Sequence, residues 1–271
     1  MDIQIENLSF TYPSGVEALH RVDLQIASGL CVALVGENGA GKTTLGKHLN
    51  GLLRPTSGRV ILGGRNTEGQ SVAQLARVVG YVFQNPDEQL FQRSVREEVA
   101  FGPKNLGWSE REVEARVFEA LSQVDLAAEA DAHPYDLHAA QRKLLGLASI
   151  LSMEPAVLVL DEPTMGLDLR GAMLVGEIID RRRRAGCTVI LISHDLDFCA
   201  EHADCFVVMS RGRILEKGPP EEILSKAERL WEAGLEQPQL VRLARALKLS
   251  GAPRDVGDFL ALLPGRRRVD L

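Results

Sequence analysis

Residues 3–10 alternate apolar and polar side chains and residues 16–26 do so less cleanly, a period of two that predicts half-exposed antiparallel strands at the start. The interior changes character. Residues 31–35, 157–160 and 189–192 are continuous apolar runs, each followed at once by a polar or glycine-containing turn. Such runs fit parallel strands buried on both faces, with functional loops at their carboxyl ends. Ser109 opens a helical stretch to about Ser122, with Val113, Val117, Ala120 and Leu121 at helical spacing and acidic residues in the first turn. A second helix is expected from near Leu137 to Met153, ending before Pro155, and a third follows Asp168 into the run Arg181, Arg182, Arg183, Arg184. Arg211-Gly212 reads as the turn between two last strands, 206–209 and 213–216. Beyond Gly218-Pro219-Pro220 the pattern is wholly helical, with Leu240, Leu243, Ala244 and Leu247 assigned to one face. The expected architecture is therefore α/β, with a mostly parallel core sheet, an antiparallel N-terminal part, a helical insertion, and a small appended helical unit over roughly 221–271.

Composition narrows this picture. The 271 residues allow one large domain with an appendage, since roughly 150 residues per domain is only a soft prior. With 31 Lys+Arg against 37 Asp+Glu the formal charge is -6, which argues against a nucleic-acid surface. The arginine run is read as a solvated face whose cations complement the helix dipole. Cys31, Cys187, Cys199 and Cys205 lack Cys-x-x-Cys spacing and are expected to be small hydrophobes in a reducing compartment, forming neither disulfide nor zinc site. No apolar stretch approaches the roughly 18 to 20 residues that span a bilayer, so a cytoplasmic chain is expected unless a partner holds it at a membrane.

The chemistry begins at Gly36-Glu37-Asn38-Gly39-Ala40-Gly41-Lys42-Thr43, which matches G-x-x-x-x-G-K-[ST] after an apolar strand and before the helical run that starts at Thr44. Glycines let backbone N–H groups point at phosphates, the helix start adds favourable partial charge, Lys42 reaches the terminal phosphates, and Thr43 can ligate magnesium. Asp161-Glu162 ends a second apolar strand. Asp161 is expected to hold magnesium and Glu162 to polarise an attacking water. Ser193-His194 ends a third, placing His194 to contact the γ-phosphate and keep water and Glu162 in line.

These motifs in this order resemble the ATP-binding cassette family over about residues 1–218: Tyr12 before the loop, the loop itself, Gln84, a signature region at 137–141, Asp161-Glu162, Gly166-Leu167-Asp168, and His194. The resemblance implies that Tyr12 stacks on adenine, that Gln84 senses the γ-phosphate or magnesium and touches a membrane subunit, and that Asp168 links two sites across a dimer. The chain is more closely similar to the energy-coupling factor ATPases, including the cobalt and nickel importers. Residues Gln84-Asn85-Pro86-Asp87-Glu88-Gln89-Leu90-Phe91, Val99-Ala100-Phe101-Gly102-Pro103, Asn105-Leu106-Gly107 and the tail Pro238-Gln239-Leu240-Val241-Arg242-Leu243 carry that likeness. It implies a cassette domain over 1–220 with a helical subdomain at about 86–154 and a dimerising unit over 221–271. It also implies ATP and magnesium as ligands, a second ATPase subunit, a transmembrane T component, an S component that selects a vitamin or metal ion, and a peripheral place on the cytoplasmic face of the membrane.

One departure matters. Where the family has Leu-Ser-Gly-Gly-Gln, this chain has Leu137-His138-Ala139-Ala140-Gln141. The usual serine and glycines bind the γ-phosphate held by the opposite subunit; His138 removes the hydroxyl and the alanine methyls narrow the approach. A heterodimer in which a partner supplies the intact signature is therefore expected. The alternatives are an active homodimer using His138, a regulatory ATP-binding subunit with little hydrolysis, and a soluble cassette ATPase of translation or chromosome maintenance. Leu169 stands where proline commonly follows the aspartate.

Overall fold

A computed structural model of the chain describes residues 1–263. The first strands, β1 (Ile3–Thr11) and β2 (Glu17–Ile26), pair antiparallel and are joined by β4 (Ser57–Leu62) and β5 (Arg65–Asn66) in a four-stranded sheet of order β2-β1-β4-β5. Register shifts in the β1–β2 ladder, with Asn7 and Arg21 at positive φ, are why the alternation of residues 16–26 is imperfect. The second sheet holds β3 (Cys31–Val35), β6 (Val79–Val82), β7 (Val157–Asp161), β8 (Thr188–Ile192), β9 (Cys205–Ser210) and β10 (Arg213–Gly218) in the order β10-β9-β3-β8-β7-β6. All its pairs are parallel except β9–β10, which the Arg211-Gly212 turn connects.

The apolar runs are explained by what lies on either side of this second sheet. Cys31, Ala33, Val35, Leu158, Leu160, Val189 and Leu191 belong to one core, while Val32, Leu34, Val157, Val159, Ile190 and Ile192 face the other. The second core is completed by α1 (Lys42–Leu49), through Leu45 and Leu49, and by the inward residues of the antiparallel sheet. The short capped helix α2 (Val72–Leu75) buries Leu75 there as well.

On the opposite side α3 (Val95–Leu106), α4 (Glu110–Gln123) and α5 (Ala139–Leu151) pack on one another as the helical insertion. Ser109 begins α4 through a reciprocal capping box with Glu112, matching the sequence signal. α3 falls within the expected helical subdomain, although Gly102 and Pro103 inside it mask its helical pattern. Helices α6 (Leu169–Arg184) and α7 (Leu196–His202) also cover that face.

One expectation needs correction. In the arginine run only Arg181 and Arg184 are exposed; Arg183 pairs with Asp204, and Arg182 donates to the Pro155 carbonyl at 3.2 Å. The described part of the tail forms four short helices, α8 (Pro220–Ser225), α9 (Ala227–Glu232), α10 (Gln239–Ala246) and α11 (Val256–Ala261). On α10 the buried residues are Val241 and Ala244, whereas Leu243 and Leu247 point to solvent, because the helix packs through its smaller side chains. The last eight positions of the expected unit, 264–271, lie outside the described residues. Among those described, the cysteines are all free, with Cys205 half-buried and the others buried, and no helix is long and apolar enough to cross a membrane.

Leu158 is fully enclosed at the middle of β7. Leu158→Ala should therefore lower the unfolding free energy by about 3 kcal/mol, read from urea titration of the whole chain.

Candidate functional site

Because β3, β7 and β8 run parallel, their carboxyl ends meet at one edge of the sheet. The glycine-rich loop leaves β3 there and turns into α1. Gly41 precedes the helix at φ 100°, and a Cβ on it would stand 2.8 Å from the Ala18 carbonyl oxygen, so the position admits only glycine. No side chain caps α1. Its first N–H groups are consequently available to an anion. Lys42 is buried and donates from Nζ to the carbonyls of Gly36 at 2.7 Å and Glu37 at 3.0 Å. Burial lowers its pKa below the usual lysine range, while the charges of Glu162, Asp161 and Glu37 pull it back up.

Asp161 and Glu162 are held differently. Asp161 Oδ1 accepts from the Thr43 hydroxyl at 3.2 Å and Oδ2 from the buried Tyr81 hydroxyl at 2.7 Å. Burial first, and then the aspartate charge, raise the Tyr81 pKa, so the phenol stays a donor. Glu162 sits at φ 48°, an uncommon conformation for a non-glycine residue, fixed where its N–H donates to the Ile192 carbonyl at 2.8 Å. Its carboxylate accepts from Ser193 Oγ at 3.2 Å and from His194 Nδ1 at 2.9 Å. With Nδ1–H so engaged, the far nitrogen of a neutral His194 ring is an acceptor. A hydrogen bond from this ring to a phosphate oxygen requires a second proton or a turned ring.

These groups line one cleft of about 550 Å³, in which residues 38–44 form the floor and Tyr12, Gln84, Asp161, Glu162 and His194 the walls. All cis candidates from the sequence thus come together: Tyr12, Asn38, Gly39, Ala40, Gly41, Lys42, Thr43, Thr44, Gln84, Asp161, Glu162 and His194. The Tyr12 hydroxyl is 3.0 Å from Thr44 Oγ1. Gln84 Nε2 lies 3.6 Å from Met165 Sδ, and the Gln84 carbonyl accepts from the buried Lys143 of α5 at 3.2 Å. Residues 137–141 do not line the cleft. Leu137 is buried, and His138 begins α5 by accepting from the Gln141 N–H through Nδ1 at 3.3 Å, while Gln141 Oε1 accepts from the His138 N–H at 3.2 Å. The histidine therefore performs the capping that serine would. Asp168 caps α6 by accepting from the Gly171 N–H at 2.8 Å.

Tyr81, Ser193 and Lys143 had no role assigned from sequence, and His20, Glu17 and Arg211 also line the cleft. Only Ser193 carried a signal, as the neighbour of His194. Among the described residues no cluster of three His, Cys, Asp or Glu side chains could hold a metal by itself. One carboxylate and one hydroxyl, Asp161 and Thr43, fit magnesium, which keeps waters and takes its other oxygens from substrate phosphates.

Known proteins resemble this chain over most of its length. Residues 19–165 match the ABC transporter family. The chain is 41% identical over 247 residues to the energy-coupling factor transporter ATP-binding protein EcfA of Methanocaldococcus jannaschii, covering 90% of this chain and 88% of that one. It is 40% identical over 256 residues to EcfA of Methanothermobacter thermautotrophicus, covering 94% and 82%. Two ABC transporter relatives from Methanosarcina acetivorans and Methanosarcina mazei are longer, and this chain spans only 44% and 42% of their length. Among solved structures, cbiO1 of Clostridium perfringens, part of the ABC transporter complex cbiONQ, superposes with a TM-score of 0.74 at 34% identity, covering 91% of this chain and 98% of that one.

Tyr81 orients Asp161 from behind, and partners of that kind tune metal affinity. Tyr81→Phe is expected to raise the magnesium concentration needed for half-maximal nucleotide binding about tenfold. An unchanged midpoint would remove Tyr81 from the site.

Proposed function

Because the chain belongs to the ABC transporter ATP-binding family, we propose that it is the ATP-hydrolysing subunit of an energy-coupling-factor-type importer for a vitamin or transition metal ion, acting as one half of an ATPase heterodimer. The observation that carries this reading is the division of the chain into two faces. The cleft gathers the phosphate loop, Asp161, Glu162 and His194, while the altered signature at 137–141 lies outside it, which supports a role toward the nucleotide of another chain. Leu169 and Met173, 77% and 58% exposed at the start of α6, and half-exposed Met165 form an apolar margin beside the cleft that suits a covering subunit.

A second groove, of about 560 Å³, runs between α2 and the helical insertion. Phe91 and Phe101 meet edge to face at its rim with centroids 4.8 Å apart, both exposed, and Ile150 and Met153 line it. It opens next to the segment that follows Gln84, which supports docking of a helix from the membrane T component there. The importer reading, with T and S components and a place at the cytoplasmic face, rests on the likeness to EcfA and cbiO1.

In hydrolysis a water oxygen bonds to the γ-phosphorus as the bond to the β,γ-bridging oxygen breaks, giving ADP and inorganic phosphate. Glu162 orients that water and accepts its proton, and His194 and Ser193 hold the carboxylate in place. Lys42 leaves the loop carbonyls to meet the terminal phosphates. Magnesium, held by Thr43 and Asp161, would neutralise part of the phosphate charge. A second reading, a regulatory subunit that binds ATP and barely turns it over, is favoured by one feature, the His138-Ala139-Ala140 change, and opposed by the intact Glu162 and His194.

The test is the steady-state ATPase rate of the chain alone, with the signature repaired by His138→Ser, Ala139→Gly and Ala140→Gly together, and mixed with a partner ATPase of intact signature. Repair or mixing should raise a low basal rate on the order of 10²-fold. Glu162→Gln should then remove about 10²-fold or more while leaving ATP binding in place. A high basal rate in the unaltered chain sinks the heterodimer, and no rate under any condition points to the regulatory subunit.

A further inference from the structure

The phosphate loop is supported from a direction that no sequence motif marks. Helix α9 ends in a reciprocal C-terminal turn: Leu235 N–H donates to the Leu230 carbonyl at 2.8 Å and Gly234 N–H to the Trp231 carbonyl at 3.0 Å, with Gly234 at φ 69°. Leu230, Ala233 and Leu235 are buried in the main core and pin this turn. Such a turn leaves the Ala233 carbonyl unused by the helix, and a buried carbonyl requires a partner. It accepts from the Glu37 N–H at 3.0 Å. The carbonyl of the same Glu37 accepts from Lys42 Nζ at 3.0 Å and from the Ala40 N–H at 3.1 Å. Glu37 therefore joins the tail to the loop on one side and to the phosphate-binding lysine on the other.

The side chains meet at the same point. A Cβ on Gly234 would stand 2.9 Å from Glu37 Cβ and 3.1 Å from its Oε2. We propose that the Ala233-Gly234 turn is a positioning element for nucleotide binding: by fixing Glu37 it holds the phosphate loop in register, so the C-terminal unit sets the affinity for the nucleotide phosphates. This rests on the nucleotide reading of the cleft. It assigns the tail a role within its own chain's site, apart from any contact it makes with another subunit.

The test uses ADP with magnesium, titrated calorimetrically into the full chain. Gly234→Ala should weaken ADP binding on the order of tenfold, because displacement of a positioned loop by a fraction of an ångström is costly. Adding Glu37→Gly, which deletes the Cβ that the new methyl meets, should return the dissociation constant to within about twofold of the original. The strain of alanine at positive φ is the same in both variants, so that strain cannot produce the rescue. Trp231→Ala, on the 75% exposed outer face of α9, should leave binding unchanged. Unaltered affinity in Gly234→Ala, or no rescue, overturns the proposal. Should Gly234→Ala fail to fold, hydrogen exchange in the unaltered chain decides: the Glu37 amide must be protected, and fast exchange there overturns the bond to Ala233. Absence of ADP binding by the unaltered chain overturns the nucleotide reading itself.

Discussion

Burial of the six-stranded sheet on both faces is the constraint from which the rest of the molecule follows. Successive residues of β3, β7 and β8 enter opposite cores, leaving these strands no face on which a polar side chain could be solvated. Polar groups can appear only where the strands end. Since the three strands are parallel neighbours, the glycine loop, Asp161-Glu162 and Ser193-His194 emerge together at one edge. Convergence of the site is thus a result of topology, and the loops add chemistry to a location that the hydrophobic pattern has already selected.

The charges at that edge are arranged to be exchanged. Lys42, Asp161 and Glu162 are all buried, and an ammonium locked against a carboxylate there would be hard to release to a ligand. Lys42 instead rests on two neutral carbonyls, while Asp161 and Glu162 accept from hydroxyls and an imidazole. Each charge is satisfied, yet none is tied to its opposite. Burial lowers the lysine pKa and the nearby carboxylates raise it. A phosphate brings the charge that resolves this balance in favour of the ammonium.

Legibility in the sequence followed the range of the interactions. The buried strands, the loop, the strand-end acids and the capped helix α4 depend on contiguous residues, and they could be read directly. β6 escaped notice because Val79-Gly80-Tyr81-Val82 is short and glycine-containing, and its burial comes from pairing with β7. Tyr81 reaches Asp161 across 80 positions, a contact fixed by that pairing and by no local pattern. In the tail, the leucine spacing marks α10 as a helix but not its inner face: Leu243 is exposed and the helix docks through Val241 and Ala244. Amphipathic spacing identifies a helix more surely than it identifies which of two adjacent faces meets the core.

The altered signature shows how a local structure can be kept while its surface is changed. A helix start needs an acceptor at the N-cap, and His138 Nδ1 supplies one, with the reciprocal Gln141 bond intact. Ala139 and Ala140 are better helix formers than the glycines they replace, so α5 gains nothing in strain from the exchange. What changes lies outside the helix. With Nδ1 committed as an acceptor, the neutral ring offers a single outward N–H, and two methyls stand at the helix start that, on the proposed reading, faces a phosphate. The fold of this segment and its use as a binding surface are therefore separable. On the proposed reading, the cleft keeps its set of groups while the face presented to another nucleotide is narrowed, an asymmetry that pairing with a differently equipped subunit would complement.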